Sequence, residues 1–242
     1  MRIKNLFAFD FDDTLAITSS TIGIRRYKDE KFDESFRDWI HYHNLDISSV
    51  LKPGTKEEIV YFSSDQFAKY EKAMRSDLDF IESNNIKDEY DFSTTSSVDQ
   101  KKTKKIDSVM QILSRVSQNS DSIAVIITAR GGSTPVKSLA KNKDIMPTNR
   151  EDIKNFLDGQ GVNVKQEDIT TAGDIGSGPE AKATALRNYI EKYKPKNIFF
   201  YDDNIGNVLA ISDLCKEYFP EINITTYHIE DGKIKLNSTC SD

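Results

Sequence analysis

NLFAFDFDDTL, residues 5–15, decides how this chain is read. Leu6, Phe7, Ala8 and Phe9 form a short apolar run bounded by polar residues, the pattern of a buried strand. Three aspartates then crowd the next four positions: Asp10, Asp12 and Asp13, with Phe11 between the first two. A buried strand that ends in so much like charge needs a reason. Ligands of open α/β sheets bind outside the carboxyl ends of the strands, so this end is a candidate site.

Further strands read outward from this one: IAVIIT (123–128), NIFFY (197–201), INITTYHI (222–229) and the weaker DITTA (168–172). They are rich in β-branched and aromatic residues and are bounded by turn formers. Amphipathic helices alternate with them. Ile106, Val109, Met110, Leu113 and Val116 recur at helical spacing. Thr148 and Glu151 have the spacing of a capping box before a helix that stops near Gly159. Pro179 opens a helix carrying Leu186, Tyr189, Ile190 and Tyr193 on one face, and Val208, Ile211, Cys215 and Phe219 mark another. Strands alternating with helices predict an α/β fold: a Rossmann-like parallel sheet with helices on both faces. Residues 16–103 break the rhythm, with two helical patterns and no clear run of strands. The expected organisation is a core of 1–15 and 104–242 with an inserted, mainly helical region at 16–103. About 40 residues separate Thr128 from the 168–172 strand and read as one core helix plus loops.

With 37% hydrophobic and 30% charged residues the chain can bury a core. Its net charge of −6 argues against binding nucleic acid through bulk attraction. Two cysteines, Cys215 in a helical apolar pattern and Cys240 in a polar tail, make no disulfide framework. No apolar run approaches membrane-spanning length, and the opening apolar stretch is too short for a signal peptide. The expected setting is reducing and cytoplasmic, with no membrane partner.

The residues that follow the strands suit phosphoryl transfer. They are Asp10, Asp12, Asp13 and Thr14 after the first; Thr128, Ala129, Arg130, Gly131 and Gly132 after the second; and Asp202, Asp203 and Asn204 after NIFFY. Lys182 lies near the start of the helix before NIFFY. A carboxylate attacking a phosphate meets like charge: two unit charges about 4 Å apart repel by about 4 kcal/mol at an effective dielectric near 20. Mg²⁺, held by Asp10 and by Asp202 or Asp203, would supply the missing positive charge, and Lys182 would supply more. Thr128 and the backbone N–H groups beyond it could hold phosphoryl oxygens. Asp12 could protonate the leaving oxygen and then activate water. Arg130 is open between contact with substrate and pairing with a nearby acid.

In order, DFDDTL, IAVIITAR, GPEAKATAL and IFFYDDNIGN resemble the four motifs of the haloacid dehalogenase (HAD) superfamily. The resemblance covers the core and leaves the insertion unmatched. It implies that Asp10 is a nucleophile forming an aspartyl-phosphate and Asp12 the general acid/base. It implies Mg²⁺ held by the Asp10 carboxylate, the Asp12 main-chain carbonyl and the motif-four acids Asp202 and Asp203. Substrate would meet Thr128, Ala129, Arg130 and Lys182. The acid at position 12 implies a phosphatase rather than a dehalogenase, and the place of the insertion implies a C1-type cap. A small phosphorylated metabolite or nucleotide is the expected substrate. A polynucleotide 3′- or 5′-end is the alternative, since TAR and YDD are similar to motifs of polynucleotide kinase-phosphatases. A two-component receiver would place its acidic pair after the first strand, not last. A non-catalytic binding module on the same scaffold would be expected to have lost an acid or the lysine.

Other features read as structural. His41 and His43 point to different faces of one helix, which does not suit a metal pair. His228 falls in a strand. The KKTKK run (101–105) reads as a solvated face, and Trp39, Tyr42, Tyr61 and Phe62 as the core of the insertion.

Overall fold

The computed structural model describes residues 3–240, without the side chain of Cys240. The outermost two residues at each end of the expected core therefore lie outside the described residues, as does the Cys240 thiol. The chain forms two compact units. The first is Met1–Thr18, Val98–Ser133 and Thr148–Asp242; the second is Ser19–Ser97 and Thr134–Pro147.

The first unit alternates β1 (Asn5–Phe9), α1 (Asp107–Ser117), β2 (Ser122–Thr128), α2 (Asn149–Gly159), β3 (Ile169–Thr171), α3 (Pro179–Tyr193), β4 (Asn197–Asp202), α4 (Ile205–Tyr218), β5 (Asn223–Glu230) and β6 (Lys233–Cys240). The sheet order is β3-β2-β1-β4-β5-β6. The first five strands run parallel, with Phe9 in register with both Ile126 and Tyr201. From β1 the chain adds β2 and β3 on one side, then crosses to β4 on the other. This reversal at β1 and β4 opens the crevice where α/β sheets bind ligands.

Both sheet faces are covered, which is why the parallel strands read as nearly continuous apolar runs. Phe9, Ala124, Ile126, Tyr201 and Ile229 pack with α1 and α2 through Leu113, Val116, Ile153 and Phe156. Leu6, Ala8, Val125, Ile127, Ile198, Phe200 and Ile224 pack with α3 and α4 through Leu186, Ile190, Val208 and Cys215. Each Leu, Ile, Val or Phe side chain among them, taken fully from water, contributes about 1.5–3 kcal/mol. The expected core helices and strands are all present, the DITTA strand as the short β3.

Two local expectations fail. The polar tail is a strand: β6 returns antiparallel to β5 through Asp231 and Gly232, at φ 51° and 70°. Two left-handed residues in a two-residue turn are the geometry of a tight hairpin. The capping box at Thr148 does not form, because the Thr148 hydroxyl donates to Asp152 Oδ2 at 2.6 Å and caps no backbone N–H.

The second unit is not mainly helical, and the expectation of a mainly helical insertion is corrected here. Thr21–Lys28 pairs antiparallel with Lys31–Phe32, Ile59–Ser63 and Ile86–Asp91, and Ser49–Leu51 adds to Ile59–Ser63. Three helices accompany this sheet: Phe36–Tyr42, Ser64–Ser76 and Leu78–Ser83. Their core is Ile24, Phe36, Trp39, Ile40, Val60, Phe62 and Tyr70. Trp39, Tyr61 and Phe62 are buried, as core residues should be, whereas Tyr42 is exposed. Residues 134–147, read from the sequence as a core loop, contain the antiparallel pair Val136–Ser138 and Lys143–Ile145 and group with this unit. Among the described residues no helix is long and apolar enough to cross a membrane.

Candidate active site

The carboxyl ends of β1 and β4 bring the first aspartate and the acidic pair together. The backbone N–H of Asp10 continues the ladder to the Tyr201 carbonyl at 2.9 Å. Asp202 closes β4. Its Oδ1 accepts the Asn204 backbone N–H and the Asn207 side-chain amide, both at 2.9 Å, which fixes the acid at the start of α4. Asn204 also caps that helix by accepting the Gly206 N–H at 2.8 Å. Lys182 arrives from the first turn of α3, where Pro179 follows Gly178 at φ 76°. Its ammonium lies 2.7 Å from Asp10 Oδ1 and 2.8 Å from Asp202 Oδ2. Asp10, Lys182 and Asp202 are all buried. Asp203 is half-buried; Thr14 donates to its carboxylate at 3.3 Å, and the His228 ring contacts its carbonyl oxygen at 2.8 Å.

One carboxylate oxygen from each of Asp10, Asp202 and Asp203 lies within 4.8 Å of the others. Burial holds the Asp10 carboxyl well above the ordinary carboxylate range; Lys182 opposes this, while Asp202, Asp203 and Asp12 add to it. Burial and the neighbouring Asp202 charge push Asp203 up to about 7. Lys182 moves above its ordinary value: burial works against its charge, but Asp10 and Asp202 outweigh it. Three hard oxygen donors against one ammonium leave excess negative charge in a small volume. That donor set fits a hard divalent cation.

A divalent cation should therefore raise the melting temperature. At a free concentration of about 100 times Kd the gain is about 2.7 kcal/mol, or about 5–10 °C for a chain of this size. The upward shifts of Asp10 and Asp203 make protons compete with the cation for these carboxylates, so the increment should grow as pH rises through about 7. Thermal melts with and without Mg²⁺ at pH 6 and pH 8 check this; an increment that is absent, or larger at pH 6, contradicts the site.

The second cluster forms where β2 ends. Thr128 is fully buried, and its hydroxyl accepts the Arg130 N–H at 3.3 Å. Arg130 resolves to acid pairing: Nε and Nη2 reach Asp12 Oδ2 and Oδ1 at 2.8 and 2.7 Å, a two-point pair of the strong kind. Thr18 donates to Asp12 Oδ1 at 2.7 Å, and the Thr128 hydroxyl lies 3.5 Å from Asp12 Oδ2. Burial would raise the Asp12 carboxyl, but the Arg130 charge and hydrogen bonds, with Thr18, hold it below its ordinary value. Asp12 is thus kept ionised here, in the state of a base; to donate a proton it must first part from Arg130. Asp13 has φ 58° and donates its N–H to the Ala16 carbonyl, so it shapes the loop.

The loop after Thr128 differs from expectation. Its N–H groups were to hold phosphoryl oxygens, yet those of Gly132 and Ser133 point to the Asp174 carboxylate at 2.9 and 3.1 Å. Thr171 also donates to Asp174, at 2.7 Å. Gly132 is required: a Cβ there would lie 2.4 Å from Thr171 Oγ1. Ala129 sits exposed at the strand end. Thr18, Asn149 and Asp174 were not singled out in the sequence; Thr18 and Asn149 sit within polar runs, and no pattern marks any of the three. In the second unit, His43 pairs with Asp77 at 2.8 Å while His41 is exposed, so the two do not form a metal pair.

No family model and no curated protein matches the chain. Among solved structures, the HAD domain of the effector protein Lem4 from Legionella pneumophila is similar over 97% of this chain and 90% of that chain. The identity is 14% and the TM-score 0.44, a likeness too distant to carry an argument.

Proposed function

We propose that this chain is a Mg²⁺-dependent phosphatase of the HAD type that hydrolyses a phosphomonoester through an aspartyl-phosphate. The observation that carries the reading is the convergence of Asp10, Lys182, Asp202 and Asp203 at the carboxyl ends of β1 and β4. Nucleophile, ammonium and cation-holding acids are what transfer of a phosphoryl group to a carboxylate needs.

Substrate binds with its phosphoryl group against the Lys182 ammonium and the Thr128 hydroxyl. Asp10 attacks phosphorus in line and the bond to the leaving oxygen breaks. Asp12, released from Arg130, takes a proton from solvent and gives it to that oxygen. It then takes a proton from the water that attacks phosphorus and frees Asp10. Asp10, Asp202 and Asp203 would hold Mg²⁺, with the Asp12 main-chain carbonyl as the family resemblance implies, and the ion when bound offsets charge on the transferring group.

A small phosphorylated metabolite or nucleotide fits the net charge of −6 better than a polyanion. The C1-type cap reading of the insertion and a cytoplasmic setting belong to the same proposal. A screen of phosphorylated metabolites, nucleotides and oligonucleotide ends with the purified chain and Mg²⁺ tests it. Turnover confined to oligonucleotide ends would move the substrate to the alternative class; turnover of none would refute the activity.

A further inference from the structure

Asn149 opens α2 and is completely buried. A buried carboxamide keeps its place by satisfying both ends. Its Oδ1 accepts Arg130 Nη1 at 3.1 Å, and its Nδ2 donates to the Gly131 carbonyl at 2.7 Å. One side chain therefore holds both the guanidinium that grips Asp12 and the backbone turn that follows Thr128. On the opposite side of the guanidinium, Asp12 takes two bonds and Thr18 Oγ1 a third, at 3.2 Å.

We propose that Asn149 is a positioning residue for the phosphatase reaction, acting on Asp12 through Arg130. This rests on the reading in the preceding section. The carboxamide fixes one edge of a planar donor whose other edge sets the direction of the Asp12 carboxylate. In the step that activates water Asp12 is the ionised base and can keep its pair with Arg130, so the direction that pair sets matters there. Without Asn149, the Nη1 edge of Arg130 loses this bond and the constraint it places on the direction of Asp12. Misplacement of a reacting group by about 1 Å can cost about 10²-fold in rate.

A double-mutant cycle on kcat tests the assignment, with wild type, Asn149→Ala, Arg130→Lys and the double variant assayed on one phosphomonoester with Mg²⁺. Lysine keeps a positive charge beside Asp12 but lacks the fork that reaches Asn149. Asn149→Ala should lower kcat by about 10- to 100-fold in wild type and by less than about twofold when Arg130 is already lysine. Equal losses in both backgrounds would show that Asn149 acts only as a structural tie and would overturn the inference while the phosphatase reading stands. If the wild type itself turns over no phosphomonoester, both fall. Should Asn149→Ala fail to fold, Asn149→Ser, which keeps a small polar group in the buried site, is carried through the same cycle with the same two outcomes.

Discussion

Asp10→Asn is expected to abolish turnover while leaving a folded protein. A carboxamide is no nucleophile toward phosphorus, and loss of a nucleophile typically costs about 10⁴-fold or more in kcat. The fold should survive because of the direction in which the Asp10 carboxyl is shifted. Burial and three neighbouring acids raise it, against the pull of Lys182. For an acid shifted upward, native stability falls as pH rises from the unfolded value through the folded one. An amide does not ionise and escapes that loss. In metal-free buffer at pH 7, Asp10→Asn should melt no lower than wild type. Activity close to wild type would refute the nucleophile; a large drop in melting temperature would refute the electrostatic account.

Lys182→Met is expected to cost about 3–5 kcal/mol of stability at pH 8 in metal-free buffer, as well as turnover. The lysine is buried between two buried carboxylates at 2.7 and 2.8 Å. Methionine fills similar volume and leaves both acids without their common counter-charge. The lysine's own shift is upward, so its stabilisation is fully present below the ordinary lysine pKa and would be lost only at higher pH. In the variant, Asp10 has an escape: it can take a proton as pH falls. The difference from wild type should therefore shrink between pH 8 and pH 5. Urea titrations at the two pH values measure it. A loss below about 1 kcal/mol at pH 8 would mean that the ion pair does not carry the weight assigned to it.

The core was legible because its physics is simple. Parallel strands buried on both faces show as apolar runs, and Phe9, Thr128 and Tyr201 end such runs next to the polar residues of the site. The order aspartate, threonine, lysine, acidic pair therefore projects onto one edge of one sheet. The insertion hid its strands because it buries polar residues in pairs. Arg26, in the middle of Thr21–Lys28, is completely buried; it bonds Asp88 at 2.9 Å and the Tyr70 hydroxyl at 2.7 Å. Its guanidinium carbon lies 4.3 and 4.4 Å from the ring centroids of Phe36 and Trp39. Asp88 and Asp91, both with buried side chains, give Ile86–Asp91 the look of a solvated loop. A pattern reading that sends charge outward must miss both strands. Arg130 was legible as a site residue, but its partner was not. Its sequence position allowed either a substrate or an acid as partner, and only the distance between the ends of β1 and β2 selects Asp12.

The most direct measurement is to find where the phosphoryl group rests during turnover. The protein is mixed with a substrate found by the screen and Mg²⁺, quenched in acid within the first turnovers, digested and mapped by mass spectrometry. The phosphoryl group should lie on the peptide that carries Asp10 and should be absent when Asp10→Asn is treated in the same way. A phosphoryl group on another side chain, or steady turnover by Asp10→Asn with no phosphoprotein at all, would contradict the account.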